Sequence, residues 1–276
     1  MAITASDVNK LRQQTGAGMM DCKNALVESN GDFETAIDIL RKKGQKIAAK
    51  RGENDAKEGL IIAEAAEDGT FGVIVTLNCE TDFVAKNDGY RALVQSIVDV
   101  AMKQRPDSAD ALKALAFDDR LTVDEKITEQ IGVIGEKLDL SSYGTISADK
   151  VVAYNHPGNQ LATLVGLNSG SAEAQDAGKQ VAMQVAAMNP IALDKDGVDA
   201  RTIEREIEIG KDLAIQEGKP TEMAEKIALG RLSKFFKENT LLSQEFIKDN
   251  KQTVEQFLGS TEKGLTVTEF KRFSLS

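Results

Sequence analysis

One local pattern occurs twice in this chain, and the duplication limits what the chain can fold into. LIIAEAA, the turn EDGT and FGVIVTL form two β-prone runs around Asp68-Gly69, the composition of a β-hairpin. A helix follows, with Leu93, Val94, Ile97, Val98 and Ala101 on one side, and stops before Pro106. Later, VVAYN, the turn HPGN and QLATLVGLN repeat the hairpin. A helix through Val181, Val185 and Met188 then stops before Pro190. Leu77-Asn78 matches Leu167-Asn168, and Pro106 matches Pro190. The spans from leucine to proline are 29 and 23 positions, so the first copy holds six extra residues. They fall in CETDFVAKN. Duplicated units bury equivalent faces, so shared positions read as core and the insertion as the place for a separate function.

Three short helices are predicted over residues 4–43. Thr4 and Asp7 have capping-box spacing, Asp32 is a candidate N-cap, and Gly44 is read as the stop of the third helix. The charged tract from Gln45 to Glu58 reads as a linker. Thr122 and Glu125 form a second capping box ahead of a helix lined by Ile127, Ile131 and Ile134, which Gly135 ends. After Pro190, two helical patterns joined by Lys219-Pro220 suggest an antiparallel pair with Ile203, Ile207, Met223, Ile227 and Leu232 in its seam. TLLSQEF reads as a strand, Thr253–Leu258 as a short helix and LTVTEFKRF as a last strand. The expected fold class is α+β: an N-terminal three-helix module (1–50), a duplicated hairpin-plus-helix core (57–140, then 141–190 with 236–276), and an inserted antiparallel helical hairpin (191–235).

Composition narrows the function classes. The net charge of −10 argues against direct nucleic-acid binding, although residues 1–57 carry 10 basic and 8 acidic groups. No apolar run is long enough to span a membrane, and MAITASDVNK has neither a signal nor a transit character. Two distant cysteines, Cys22 and Cys79, suit a reduced, cytoplasmic setting. Enzyme motifs are missing: there is no P-loop, GAGMMD lacks the third glycine of a dinucleotide fingerprint, and the single histidine, His156, excludes HExxH. Cys79 and His156 sit in different copies, and Glu80 beside Cys79 disfavours a thiolate. No catalytic, metal or cofactor residue is assigned.

Three readings stay open for Asp82-Phe83: a core anchor, half of a carboxylate pair with Glu80, or a projecting wedge. Met19 fits the core stripe of Cys22 and Leu26, whereas Met20 and Lys23 point about 100° away.

LRQQTGAGMMDCKNAL and NCETDFVAKN, with the second hairpin and GRLSKFFKENTLLSQ, give the chain a close resemblance to the elongation factor Ts family over nearly its whole length. The resemblance implies a ubiquitin-associated-like N-terminal docking module and a duplicated α+β core. It also implies exchange of guanine nucleotide on elongation factor Tu, without enzymatic chemistry of its own. In that family the Asp-Phe of TDFV intrudes near the partner's magnesium and nucleotide. Carried over, the partner-binding residues are Thr81, Asp82, Phe83 and Val84, with Met19, Met20 and Lys23 as the docking surface. Ile134 and Gly135 match a second contact, and His156 a further one in the second half. A homodimer and a 2:2 complex both stay open, as does a non-catalytic adaptor using the N-terminal module. Some family members carry a further helical segment after the last strand; the sequence ends at FSLS, so contacts made by that segment are not carried over.

Overall fold

The computed structural model describes residues 3–275. The first two residues of the module expected over 1–50, and the final serine of FSLS, lie outside them. Helices α1 (Ala5–Thr15), α2 (Met19–Glu28) and α3 (Phe33–Arg51) open the chain. Both expected caps are present, with Thr4 and Asp7 closing a capping box and Asp32 accepting from the Thr35 amide. Val8, Leu11, Ala17, Cys22, Ala25, Leu26, Ala36 and Ile37 close one small core. Met19 is not part of it and is 52% exposed. Ala17 and Thr15 already cover that end of the core, and the first residue of α2 projects beyond them.

Gly44 does not stop α3. The helix continues to Arg51, so Gln45–Arg51 is helix and not linker. The glycine serves close packing instead. A Cβ on Gly44 would lie 3.1 Å from the Thr128 carbonyl, and one on Gly132 only 2.7 Å from the Gly44 Cα. The end of α3 is thereby joined to the core, where Ile47 and Ala48 pack against its first half.

The first half contains β1 (Glu58–Ala65), β2 (Phe71–Cys79), a helical turn α4 (Asp82–Ala85), α5 (Asp88–Gln104), α6 (Ala109–Ala114), α7 (Val123–Ile134) and β3 (Leu138–Ser147). The second contains β4 (Lys150–Asn155), β5 (Leu161–Leu167), α8 (Ala172–Met188), the pair α9 (Ala200–Gln216) and α10 (Thr221–Asn239), β6 (Glu245–Phe246), β7 (Asp249–Thr253), α11 (Val254–Thr261) and β8 (Val267–Ser274). Each half forms a three-stranded antiparallel sheet, β1-β2-β3 and β4-β5-β8. Strand β3, which the sequence reading lacks, runs through the expected boundary at 140/141 and pairs with β2 on both sides of it.

The duplication runs deeper than a hairpin and a helix. Helices α5 and α8 both span 17 residues and end on a left-handed residue, Arg105 and Asn189, just before the matching prolines. The pairing of second with third strand shifts register at matching places, between Thr76 and Leu77 of β2 and between Gly166 and Leu167 of β5, opposite Ser141 of β3 and Thr268 of β8. Capping boxes at Thr122 and Thr253 begin α7 and α11, each of which leads into the third strand.

Helix α5 covers one face of the first sheet through Leu60, Ile62, Val73, Val75 and Leu77. Helix α8 covers the second through Val152, Val165 and Leu167. The remaining faces meet through Ile61, Ala63, Ile74, Ile146, Val151, Ala162 and Leu164. Strands β1, β2 and β5 are therefore buried on both faces, which explains their continuous apolar runs where a half-exposed strand would alternate.

Two further expectations need correction. In TLLSQEF only Glu245–Phe246 is strand; the amides of Leu241 and Leu242 bond instead to the carbonyls of Ala192 and Leu193, each at 2.9 Å. The seam of α9 and α10 is made by Gly210, Ala214, Ala224 and Ala228 with Leu232, while Met223 is 53% exposed and Ile203, Ile207 and Ile227 are half-buried. Small residues let the backbones approach: a Cβ on Gly210 would sit 3.1 Å from the Ala228 Cα.

Candidate partner-binding site

The six extra residues of the first copy fold into α4 and its flanks. Strand β2 ends at Cys79, whose buried thiol donates to the Thr81 carbonyl at 3.1 Å. Burial pushes this thiol up to about 11, so it stays protonated and unreactive. Thr81 caps α4 by accepting from the Val84 amide, and Asn87 caps α5 by accepting from Gly89 and Tyr90. Tyr90 is buried and donates to the Leu77 carbonyl at 2.6 Å, fixing the start of α5 against the irregular stretch of β2.

Within this turn the side chains divide by direction. Ala85 is buried and Val84 packs against the first core, so Val84 anchors the turn more than it presents surface. Asp82 pairs with Lys86 at 2.6 Å; that hydrogen bond holds its carboxyl below the ordinary range. Phe83 projects, 83% exposed.

Two carboxylates hold the base of the turn. Glu80 accepts from the Lys137 amide at 2.6 Å, from Arg51 Nη1 at 2.9 Å to both oxygens, and from Asn54 at 3.0 Å. These donors, the Lys137 amide foremost, keep its carboxyl below the usual glutamate value. Glu136 accepts from the Thr81 amide at 3.0 Å and from its hydroxyl at 2.8 Å. Ile134 and Gly135 immediately precede Glu136, with Gly135 in the left-handed conformation at φ 82°. The structure thus brings Thr81, Asp82, Phe83, Ile134 and Gly135 to one place. Ile134 is partly buried against the first core.

The other expected residues lie on separate elements. Met19, Met20 and Lys23 are exposed on α2, Met20 at 63%. Val27, also exposed, extends the same face; its i, i+4 spacing from Lys23 was the available signal. His156 is exposed in the β4–β5 turn, 2.9 Å from the Tyr154 hydroxyl through Nδ1. This turn docks on the first half: the Asn159 side chain accepts from Arg91 of α5 at 3.1 Å, and Asn155 exchanges two bonds with the backbone of Ala63. Among the described residues no group of three or more His, Cys, Asp or Glu side chains is placed to hold a metal ion, and no helix is long and apolar enough to cross a membrane.

The family model described as elongation factor TS matches residues 80–276 and so begins at Glu80, in the base of this turn. The chain belongs to the elongation factor Ts family. Elongation factor Ts of Amoebophilus asiaticus is 55% identical across 99% of this chain and 98% of its own. That of Cytophaga hutchinsonii is 52% identical across 99% of both chains. The Porphyromonas gingivalis protein is 50% identical across 100% of this chain and 99% of its own. These relatives align through the N-terminal helices as well, which the family model leaves out. The family places the chain in translation elongation within protein biosynthesis.

Proposed function

We propose that this chain is the guanine-nucleotide exchange factor of elongation factor Tu. It binds the partner's GDP form, disturbs the magnesium and phosphate site, and promotes GDP release so that GTP can enter. The observation that carries this reading is Phe83, a large aromatic held in water at the tip of a turn whose base is fixed on both sides. Asp82 beside it supplies a carboxylate able to compete for a cation or its ligands. Thr81 and Val84 frame the pair, and Ile134 and Gly135 form an adjacent contact. The three-helix unit, read as ubiquitin-associated-like, docks through Met19, Met20, Lys23 and Val27, and His156 provides a contact from the second half. The action takes place in the cytoplasm and requires no covalent step.

The thermodynamics are reciprocal. A factor that binds the nucleotide-free partner better than the GDP-bound one weakens GDP by the same factor that GDP weakens it. A ten-thousandfold weakening requires about 5.5 kcal/mol of coupling. One aromatic wedge supplies only part of that, so several docked surfaces must act together. Stopped-flow release of a fluorescent GDP from purified elongation factor Tu tests the reading. The chain is expected to accelerate release, and Phe83→Ala to lose most of the acceleration while still binding the partner. Identical release with and without the chain would refute it.

A further inference from the structure

We infer that Glu80 and Glu136 form a reciprocal clasp that positions Phe83, which makes both glutamates positioning residues for nucleotide release; this rests on the exchange reading above. Each carboxylate leaves its own segment to satisfy the backbone of the other. Glu80, in the turn, accepts from the Lys137 amide at 2.6 Å, and Glu136, beside Lys137, accepts from the Thr81 amide at 3.0 Å. Arg51 binds Glu80, and Lys137 Nζ bonds to the carbonyls of Gly52 at 2.8 Å and Asn54 at 3.0 Å. The clasp therefore gathers the base of the turn, the end of α7 and the end of α3.

The second copy shows which part of this is inherited. Glu262 stands in TEK after α11 as Glu136 stands in GEK after α7. Its carboxylate accepts from the hydroxyl of Ser171, the N-cap of α8, at 2.6 Å, and from Ser169 at 3.1 Å. A glutamate reaching back to the cap residue after the second strand is thus common to both halves. Glu80, its Arg51 partner and the displayed phenylalanine belong to the insertion and the N-terminal module alone. An inherited latch has been extended to hold an aromatic tip in place.

The test is a double-mutant cycle on GDP release at saturating chain, with Glu136→Gln, Phe83→Ala and the pair. Gln keeps the shape of Glu136 but can accept only one of its two bonds. Glu136→Gln is expected to slow release on the order of tenfold, the scale of a small misplacement of an acting group. The pair should be no slower than Phe83→Ala alone, because the glutamate acts through the ring. Glu262→Gln, which removes the equivalent bond far from the turn, should release GDP at the parental rate. Parental release by Glu136→Gln, multiplying effects in the pair, or equal slowing by Glu262→Gln would each overturn the inference. Amide hydrogen exchange on the free protein separates this from failure of the exchange reading. Glu136→Gln should speed exchange at Thr81–Lys86 and leave Val73–Val75 protected, and an unchanged turn would disprove the clasp even if no GTPase responds.

Discussion

Leaving the Phe83 ring in water forgoes roughly 1.5–3 kcal/mol that burial would contribute, so folding does not explain the residue. Phe83→Ala is accordingly expected to unfold at the parental urea concentration, within about 0.5 kcal/mol. A loss of about 3 kcal/mol or more in that titration would place the ring in the core. Glu80 makes a second prediction, with a definite sign. Its folded carboxyl lies below the ordinary value of 4.5, so its contribution is present above that value and disappears as pH falls through the lower folded one. Glu80→Gln should therefore destabilise the protein near neutral pH, and the gap from the parent should close in acid; a gap independent of pH would exclude the charged clasp. The sequence carried the TDFV motif but left Asp82-Phe83 with three readings, because wedge and core anchor have the same composition. The clasp was not legible at all: Glu136 lies 55 positions from Thr81, and glutamates ordinarily read as solvated surface.

The same glycine can end a helix or let one pass another, and α3 shows the cost of choosing wrongly. Gly44 has the look of a C-terminal signal, since glycine after a periodic run usually marks a left-handed cap. Here its missing Cβ admits α7, a tertiary use that periodicity cannot distinguish from a stop. Small residues at the seam of α9 and α10 misled in the same way, because large apolar residues were expected at a contact that Gly210 and Ala228 make. Strand β3 escaped notice because Ser141, Ser142 and Gly144 dilute its β signal and most of it is only partly buried. By contrast, both hairpins, α5, α8 and the capping boxes at Thr4 and Thr122 were legible, being fixed by local chemistry. Two glycines in helices test the distinction. Gly132→Ala must displace the Gly44 backbone and should cost about 1–3 kcal/mol. Gly230→Ala meets nothing within 4 Å and should stabilise by up to about 1 kcal/mol. Urea midpoints of equal sign for the two variants would contradict the close crossing.

Because α3 is continuous to Arg51, the exposed face of α2 and the Phe83 tip belong to one connected frame, where a linker would have let them move independently. That changes what a truncation should do. Were residues 1–50 a separate docking module, a cut at residue 50 would spare the core. The end of α3, however, supplies Ile47 and Ala48 to the first half and Arg51 to Glu80. Deleting residues 1–43 should keep those contacts, so the core folds, docking weakens and Phe83-dependent GDP release persists at high concentrations of the chain. Deleting residues 1–51 removes them and should lower stability by a further ~2 kcal/mol, from lost apolar packing and the lost Arg51 partner of Glu80. Release should then depend less on Phe83, because the Arg51 support of Glu80 is gone while the Lys137 and Thr81 bonds remain. Urea titration of both truncations, followed by GDP release with and without the phenylalanine, separates the outcomes. Equal midpoints and equal dependence on Phe83 would mean that the last turns of α3 contribute neither to the core nor to the tip, and the frame would reduce to two independent units.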